Sequence, residues 1–201
     1  MNISNFSIYF RMFIEDDYKI INKWRNDPNI QKLVSTSFKY VSESIEKEWV
    51  KQKMMDNRKD VYLAICLKDN NQMIGYSSLN NIDYINRTAD SGGIVIDPEY
   101  QDGIAMYESG VLKRKLAFDD YNLNRLVGKC LCEHKVSLCM MEAAGFKKEG
   151  ILRQSIYKNG SYHDQFILSL LREDYYTLLN NNEYTFNSYI KKFLHFNKLY
   201  K

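Results

Sequence analysis

One stretch constrains this chain more than any other: Ala89 to Phe118, ADSGGIVIDPEYQDGIAMYESGVLKRKLAF. Gly93-Ile94-Val95-Ile96 is a compact apolar run rich in β-branched residues, which predicts a buried strand. Asp97-Pro98 breaks it, because proline has no N–H to give to a sheet ladder. The loop from Glu99 to Ala105 holds one glycine, Gly103. A helix is expected next, with Tyr107, Val111, Leu112, Leu116 and Phe118 at roughly helical spacing on one side. The opening N–H groups of a helix have no internal partner, and the helix dipole is positive there. A loop that lays backbone N–H groups beside that end can hold a phosphate or pyrophosphate.

The remaining composition mainly excludes. A chain of 201 residues implies one domain with a core that needs no disulfide staples. A net charge of +3 argues against a nucleic-acid surface, which requires clustered Lys and Arg. Cys66, Cys130, Cys132 and Cys139 contain no Cys-x-x-Cys pair, and His134, His163 and His195 complete no zinc pattern, so no metal is expected. Reduced thiols, no membrane-length apolar run and no signal-like N-terminus imply a soluble, cytoplasmic protein without a membrane partner.

Along the chain, residues 8–13 read as a first strand. Glu15, Asp16 and Asp17 open a helix with Tyr18, Ile21 and Trp24 on its apolar face, and Pro28 stops it. Ser42 caps a second helix carrying Ile45, Trp49 and Met54. Residues 61–67 and 72–79 form a hairpin around Lys68-Asp69-Asn70-Asn71. Residues 80–90 read as a polar segment. After the central unit come a strand at 124–132 and a short helix at 135–144. Val136, Met140 and Ala143 are expected on that helix's core side, with Gly145 as its left-handed cap. The last strands follow, joined by a type I′ turn at Asn159-Gly160. Residues 176–201 form a helical extension to a domain at 1–175. Its Tyr189, Phe193 and Phe196 pack on the domain or on a second subunit in a homodimer. The order is that of an α/β sandwich with a mixed, mostly antiparallel central sheet flanked by helices.

At six places in order the chain resembles the GNAT superfamily of acetyl-CoA-dependent N-acyltransferases. They are Trp24-Arg25-Asn26-Asp27-Pro28; Ile74-Gly75; Gly93 to Glu99; Asn122-Leu123-Asn124-Arg125; Glu142 to Gly150; and Asn159-Gly160-x-Tyr162-His163-Asp164. The nearest branch is that of ribosomal-protein, spermidine and amino-sugar acetyltransferases. The resemblance implies that backbone groups of Ile94, Val95 and Ile96 pair with the pantetheine arm of acetyl-CoA. It also implies that N–H groups from Gln101, Asp102, Gly103, Ile104, Ala105 and Met106 hold the pyrophosphate. The family loop runs Gln/Arg-x-x-Gly-x-Gly/Ala. With Gln101 first and Glu108 on the family's usual Glu, the favoured register, Ile104 falls on the glycine and Met106 on the small position, and a β-branched residue resists positive φ; sliding by one puts Gly103 and Ala105 there but Tyr100 in place of the Gln or Arg. His134 stands where the family often has Asn, and Ser137 keeps its usual Ser. Met141 replaces a Tyr that many relatives use as general acid, and a thioether cannot donate a proton.

The chemistry implied is direct attack of a primary amine on the thioester, with a backbone N–H near Val95 facing the carbonyl oxygen. Asp90 is the candidate base, and a solvated hairpin-edge carboxylate is the competing reading. Glu15, Asp83 and Glu108 are weaker candidates. Tyr107, Tyr157 and Tyr162 read as packing aromatics. His163-Asp164 reads either as a pocket pair or as a structural contact. The acceptor implied is a small-molecule amine, an amino sugar or a polyamine. The alternatives are a protein N-terminal amine, or a degenerate fold that binds a partner without chemistry.

Overall fold

Strand-forming runs supply β1 (Ile8–Met12), β2 (Val61–Leu67), β3 (Met73–Asp83), β4 (Thr88–Ile96), β5 (Arg125–Leu131), β6 (Lys147–Lys158) and β7 (Ser161–Leu171). The computed structural model of the protein describes residues 3–34, 39–101 and 103–200. Among these the strands form one sheet in the order β1-β2-β3-β4-β5-β7-β6. Every neighbouring pair is antiparallel except β4 and β5, which are parallel. The sheet is therefore the mixed, mostly antiparallel one expected.

Helices cover both faces. On one side lie α1 (Asp17–Arg25), α2 (Pro28–Leu33) and α3 (Glu43–Met55). Their core joins Phe13, Ile21, Trp24 and Val50 to Ala64 and Cys66 of β2. On the other side lie α4 (Ile104–Lys115), which ends in a π-helical turn at Leu116–Asp120, and α5 (Lys135–Ala143). Their core joins Val111, Phe118 and Leu138 to Ala89, Leu126, Leu168 and Leu170 of the sheet.

Several local expectations change. Pro28 ends α1 and also begins α2, because its fixed φ suits a first helical position and Asp27 accepts from Asn29 N–H at 2.8 Å. The inward side of α3 is Glu46 and Val50, while Ile45 and Met54 are exposed. Glu46 is fully buried because Arg25 Nε lies 3.5 Å away and the guanidinium packs over Trp49. Burial pushes its carboxyl pKa up. Val136 is exposed on α5, whose inward side is Leu138, Cys139 and Ala143. The polar segment 80–90 is mostly sheet. Asp83 accepts from Ile85 and Asn86 N–H groups and so closes the turn between β3 and β4. The turn at Asn159-Gly160 has the two positive φ values of a type I′ turn, and Gly145 has the positive φ of a helix cap.

The C-terminal segment packs on the domain. It forms α6 (Arg172–Asn180), which runs through residue 175, and α7 (Phe186–Leu199). Tyr107 of α4 meets the rings of Phe186 and Tyr189, each at 5.3 Å between centroids, and donates its hydroxyl to Tyr184 O at 3.0 Å. Tyr200 donates to Glu142 of α5 at 2.9 Å. The outer side of α4 is thus covered as well, and Glu108, Lys113 and Arg114 are buried with its apolar residues.

Tyr107→Phe removes the buried donor and leaves Tyr184 O unmet. It should lower stability by about 1–2 kcal/mol in urea unfolding, with little change of cavity. An unchanged midpoint would show that this contact does not tie α7 to α4.

Candidate active site

The site begins where the sheet comes apart. β4 and β5 pair only at Thr88–Arg125, Ala89–Leu126 and Asp90–Val127. Beyond that point β4 stays paired to β3 as far as Ile96, and β5 stays paired to β7 as far as Leu131. A wedge therefore opens between 91–96 of β4 and 128–131 of β5. Backbone groups of β4 that face it have no sheet partner on that side, and such groups bind an extended ligand much as another strand would.

Ile94, Val95 and Ile96 form the β4 wall of the wedge. Ile96 buries its side chain under α4, while Ile94 and Val95 are partly exposed. At the vertex a bulge sets Gly92-Gly93 against Ser78. Gly92 has to be glycine, since a Cβ there would lie 2.0 Å from Ser78 Oγ.

Past Ile96 the chain turns. Asp97 accepts from Glu99 N–H at 3.1 Å, and its second oxygen accepts from Trp24 Nε1 at 2.9 Å. Gln101 folds back to donate from Nε2 to Ile96 O at 2.8 Å, and its own N–H points to Pro98 O at 3.4 Å. Asp102 lies outside the described residues. Gly103 adopts φ +92°, and α4 starts at Ile104. The glycine-only conformation thus sits one residue before the position that the family register gives to Ile104. Ile104 is then an ordinary helical residue and needs no positive φ.

The first turn of α4 carries no acidic side chain of its own, and its dipole is positive at that end. Ala105 and Met106 place their side chains in the core with Ile8, Ile65, Ile74 and Ile96. The Ile104 side chain turns outward, beside Asn5, Phe6 and Tyr107. Glu108 is held one turn further on, accepting from Ser7 N–H at 2.9 Å and Ser7 Oγ at 2.8 Å.

His134 caps α5. Its Nδ1 accepts from Ser137 N–H at 3.1 Å, as an Asn side chain would. This bond needs an unprotonated Nδ1, and burial holds the ring's pKa below the usual value.

Asp90 stands at the vertex, in the last β4–β5 pair. Since Ala89 is buried under α4, alternation along the strand puts Asp90 on the opposite face. There it accepts from Asn81 Nδ2 at 2.9 Å, with Lys129 Nζ at 3.9 Å. Arg125 pairs with Glu149 nearby on the same sheet. Lys158, at the tip of the β6–β7 hairpin, donates to Gln31 O at 2.8 Å and Lys32 O at 3.2 Å, which ties the hairpin to α2.

The other candidates are engaged elsewhere. Glu15 pairs with Lys47, and Asp83 closes its turn. His163 meets Glu133 at 2.6 Å, while Asp164 accepts from Gln154 N–H at 2.7 Å, so the two neighbours do not form a pair with each other. Pattern reading missed Lys113, a buried cation of α4 that donates to Gly92 O at 2.5 Å.

The model of the acetyltransferase (GNAT) domain family matches residues 7–147. The chain is 23% identical over 175 residues to the uncharacterized N-acetyltransferase YnaD of Bacillus subtilis, a match that covers 87% of this chain and 99% of that protein. It is 27% identical over 183 residues to the spermidine N(1)-acetyltransferase of Vibrio cholerae, covering 89% and 99%. The crystal structure of spermidine N-acetyltransferase from Vibrio cholerae in complex with CoA and spermine superposes with a TM-score of 0.78 at 22% identity, covering 85% and 98% of the two chains.

The His134 cap makes a pH test. A ring pKa lowered by folding means that the folded protein binds fewer protons there than the unfolded chain. Its contribution is complete above the unfolded value of about 6.5 and is lost as pH falls through the folded value. His134→Asn keeps a cap acceptor but cannot titrate. The stability of wild type relative to this variant should therefore fall on going from neutral to acidic pH, read by urea unfolding. Parallel pH curves would contradict a neutral His134 cap.

Proposed function

The chain belongs to the acetyltransferase (GNAT) family, and on that footing we propose that it transfers the acetyl group of acetyl-CoA to the primary amine of a small molecule. The observation that carries this reading is the wedge between β4 and β5, with the first turn of α4 at its mouth. Ile94 to Ile96 offer the backbone edge for the pantetheine amides. Gly103 to Met106 offer the diphosphate site, and His134 and Ser137 at the start of α5 are further cofactor-binding residues of this reading.

The amine must be neutral to attack, yet a free alkylammonium has a pKa of about 10.4. Asp90 at the vertex accepts its proton, directly or through water. As the C–N bond forms and the C–S bond breaks, negative charge on the carbonyl oxygen faces the β4 N–H groups near Val95. The coenzyme thiolate, with a pKa of about 8.5 by analogy with free Cys, leaves without an obligatory acid. Met141 in place of a Tyr is compatible with that step.

Within the class, the charges beside Asp90 favour an amino sugar over a polyamine. Asp90 has Lys129 close by and Glu149 is paired with Arg125, so neither is left over for a polycation. The relative that acts on spermidine keeps the polyamine as the second reading. Assembly into a homodimer fits the edge strand β6, where Ile151 and Leu152 are exposed. The four free cysteines suit a cytoplasmic setting.

The reading is tested by thiol release from acetyl-CoA with glucosamine, spermidine and a peptide with a free N-terminus. Glucosamine should be turned over at least about ten-fold faster than spermidine, the difference that one unpaired charge makes. Faster spermidine turnover would install the second reading. No saturable binding of any acyl-CoA would leave only a fold. With the best acceptor, Asp90→Asn should lower kcat about a hundred-fold while changing the KM for acetyl-CoA little. Unchanged kinetics would remove Asp90 from the reaction.

A further inference from the structure

Lys113 is a buried cation beside the wedge to which the acetyl-transfer reading gives no task. α4 runs back along β4: Ala105 packs with Ile96, Lys113 reaches Gly92, and Phe118 shares a core with Ala89. From Ile104 to Lys113 the helix advances about 13 Å. A donor with its diphosphate at the first turn and its pantetheine along Ile96 to Ile94 therefore ends its acyl group near Gly92, beside the Lys113 ammonium.

That ammonium is poorly provided for. Lys113 is 6% exposed, and among the described residues its acceptor is a single carbonyl, Gly92 O. No described carboxylate pairs with it. Buried cations are ordinarily paired with an anion, because desolvation is costly otherwise. The surroundings are polar and under-used as well. Ser109, one turn back on the same side of α4, and Ser77, opposite Ile94 in β3, are both buried with hydroxyl oxygens that lack a partner. Burial and the neighbouring Arg114 push the Lys113 pKa down to about 7. Asp90 and Lys129 project from the other face of the sheet and do not offset this.

We propose that Lys113 closes the acyl end of the donor cleft, and that the enzyme accepts acyl-CoA donors whose acyl chain ends in a carboxylate, such as succinyl-CoA. The inference rests on the acyl-CoA reading above. The terminal carboxylate supplies the missing anion and accepts from Lys113 Nζ, with the Ser77 and Ser109 hydroxyls as further donors. Transfer then balances as for acetyl. The amine nitrogen bonds to the thioester carbon, the C–S bond breaks, the thiolate departs with its electron pair, and the amine's proton passes to Asp90 or water.

Titration calorimetry of the full chain with succinyl-CoA, acetyl-CoA and the neutral near-isostere butyryl-CoA tests this without an acceptor. At neutral pH succinyl-CoA should bind at least about ten-fold more tightly than butyryl-CoA, the size of one charge-assisted hydrogen bond. Its binding should also take up part of a proton as Lys113 becomes fully charged, seen as a heat that depends on the buffer. Lys113→Met should abolish both the preference and the uptake, and Lys113→Arg should keep the preference. Equal or weaker binding of succinyl-CoA, with acetyl-CoA still bound, overturns the role of Lys113 and leaves the acetyl-transfer reading intact. Failure of all three donors overturns that reading instead. Acetylation of Lys113 itself on incubation with acetyl-CoA, seen by peptide mass mapping, would show a nucleophile and also overturn the proposal.

Discussion

The interaction on which the site depends is one the sheet declines to make: β4 and β5 stop pairing after Asp90 and Val127. Parallel neighbours normally continue their ladder, and unpaired backbone groups beside a buried sheet are costly. Here the split survives because each strand is held by its other neighbour, β4 by β3 and β5 by β7. The bulge at Gly92-Gly93 marks the place where β4 changes course, and Ser78 fills the space that a side chain at Gly92 would need. What results is a fixed gap edged by peptide groups, suited to an amide-bearing arm.

The helices keep the gap open and give it polarity. α4 presents its positive end at the mouth and is fixed from three sides: Ser7 holds Glu108, the sheet takes Ala105 and Val111, and the α6–α7 segment takes Tyr107. Arg114 stacks over the Tyr184 ring, so the C-terminal segment also covers a cation of α4 that would otherwise face water. On the far side, Trp24 anchors Asp97 at the end of β4, and Lys158 binds the hairpin tip to α2. These ties join the two layers around the wedge, and a rigid cleft wastes little binding energy on its own ordering.

Much of this was legible in the sequence, for identifiable reasons. The β-branched run at Ile94 to Ile96, the break at Pro98 and the helix after Gly103 are strong local signals, and they placed the end of β4 and the start of α4. Asn159-Gly160 and Gly145 declared their turns because few residues tolerate positive φ. Other features were hidden because a residue's type does not reveal its partner. Ile45 and Val136 look like core residues and face water, while Glu46 looks like surface and is buried against Arg25. Lys113 reads as one of three consecutive cations on a helix, and only its contact with Gly92 O shows that it faces the sheet and not solvent. The mismatch at Ile104 dissolved in three dimensions, since Gly103 takes the turn's positive φ in its place.

The most direct measurement is a crystal structure of the protein with coenzyme A. The pantetheine amides should pair with the backbone of Ile94 to Ile96, inside the gap between β4 and β5, and the diphosphate should lie on the N–H groups that open α4. A nucleotide bound elsewhere, or a gap that closes into a continuous β4–β5 ladder and admits no ligand, would contradict the account at its root.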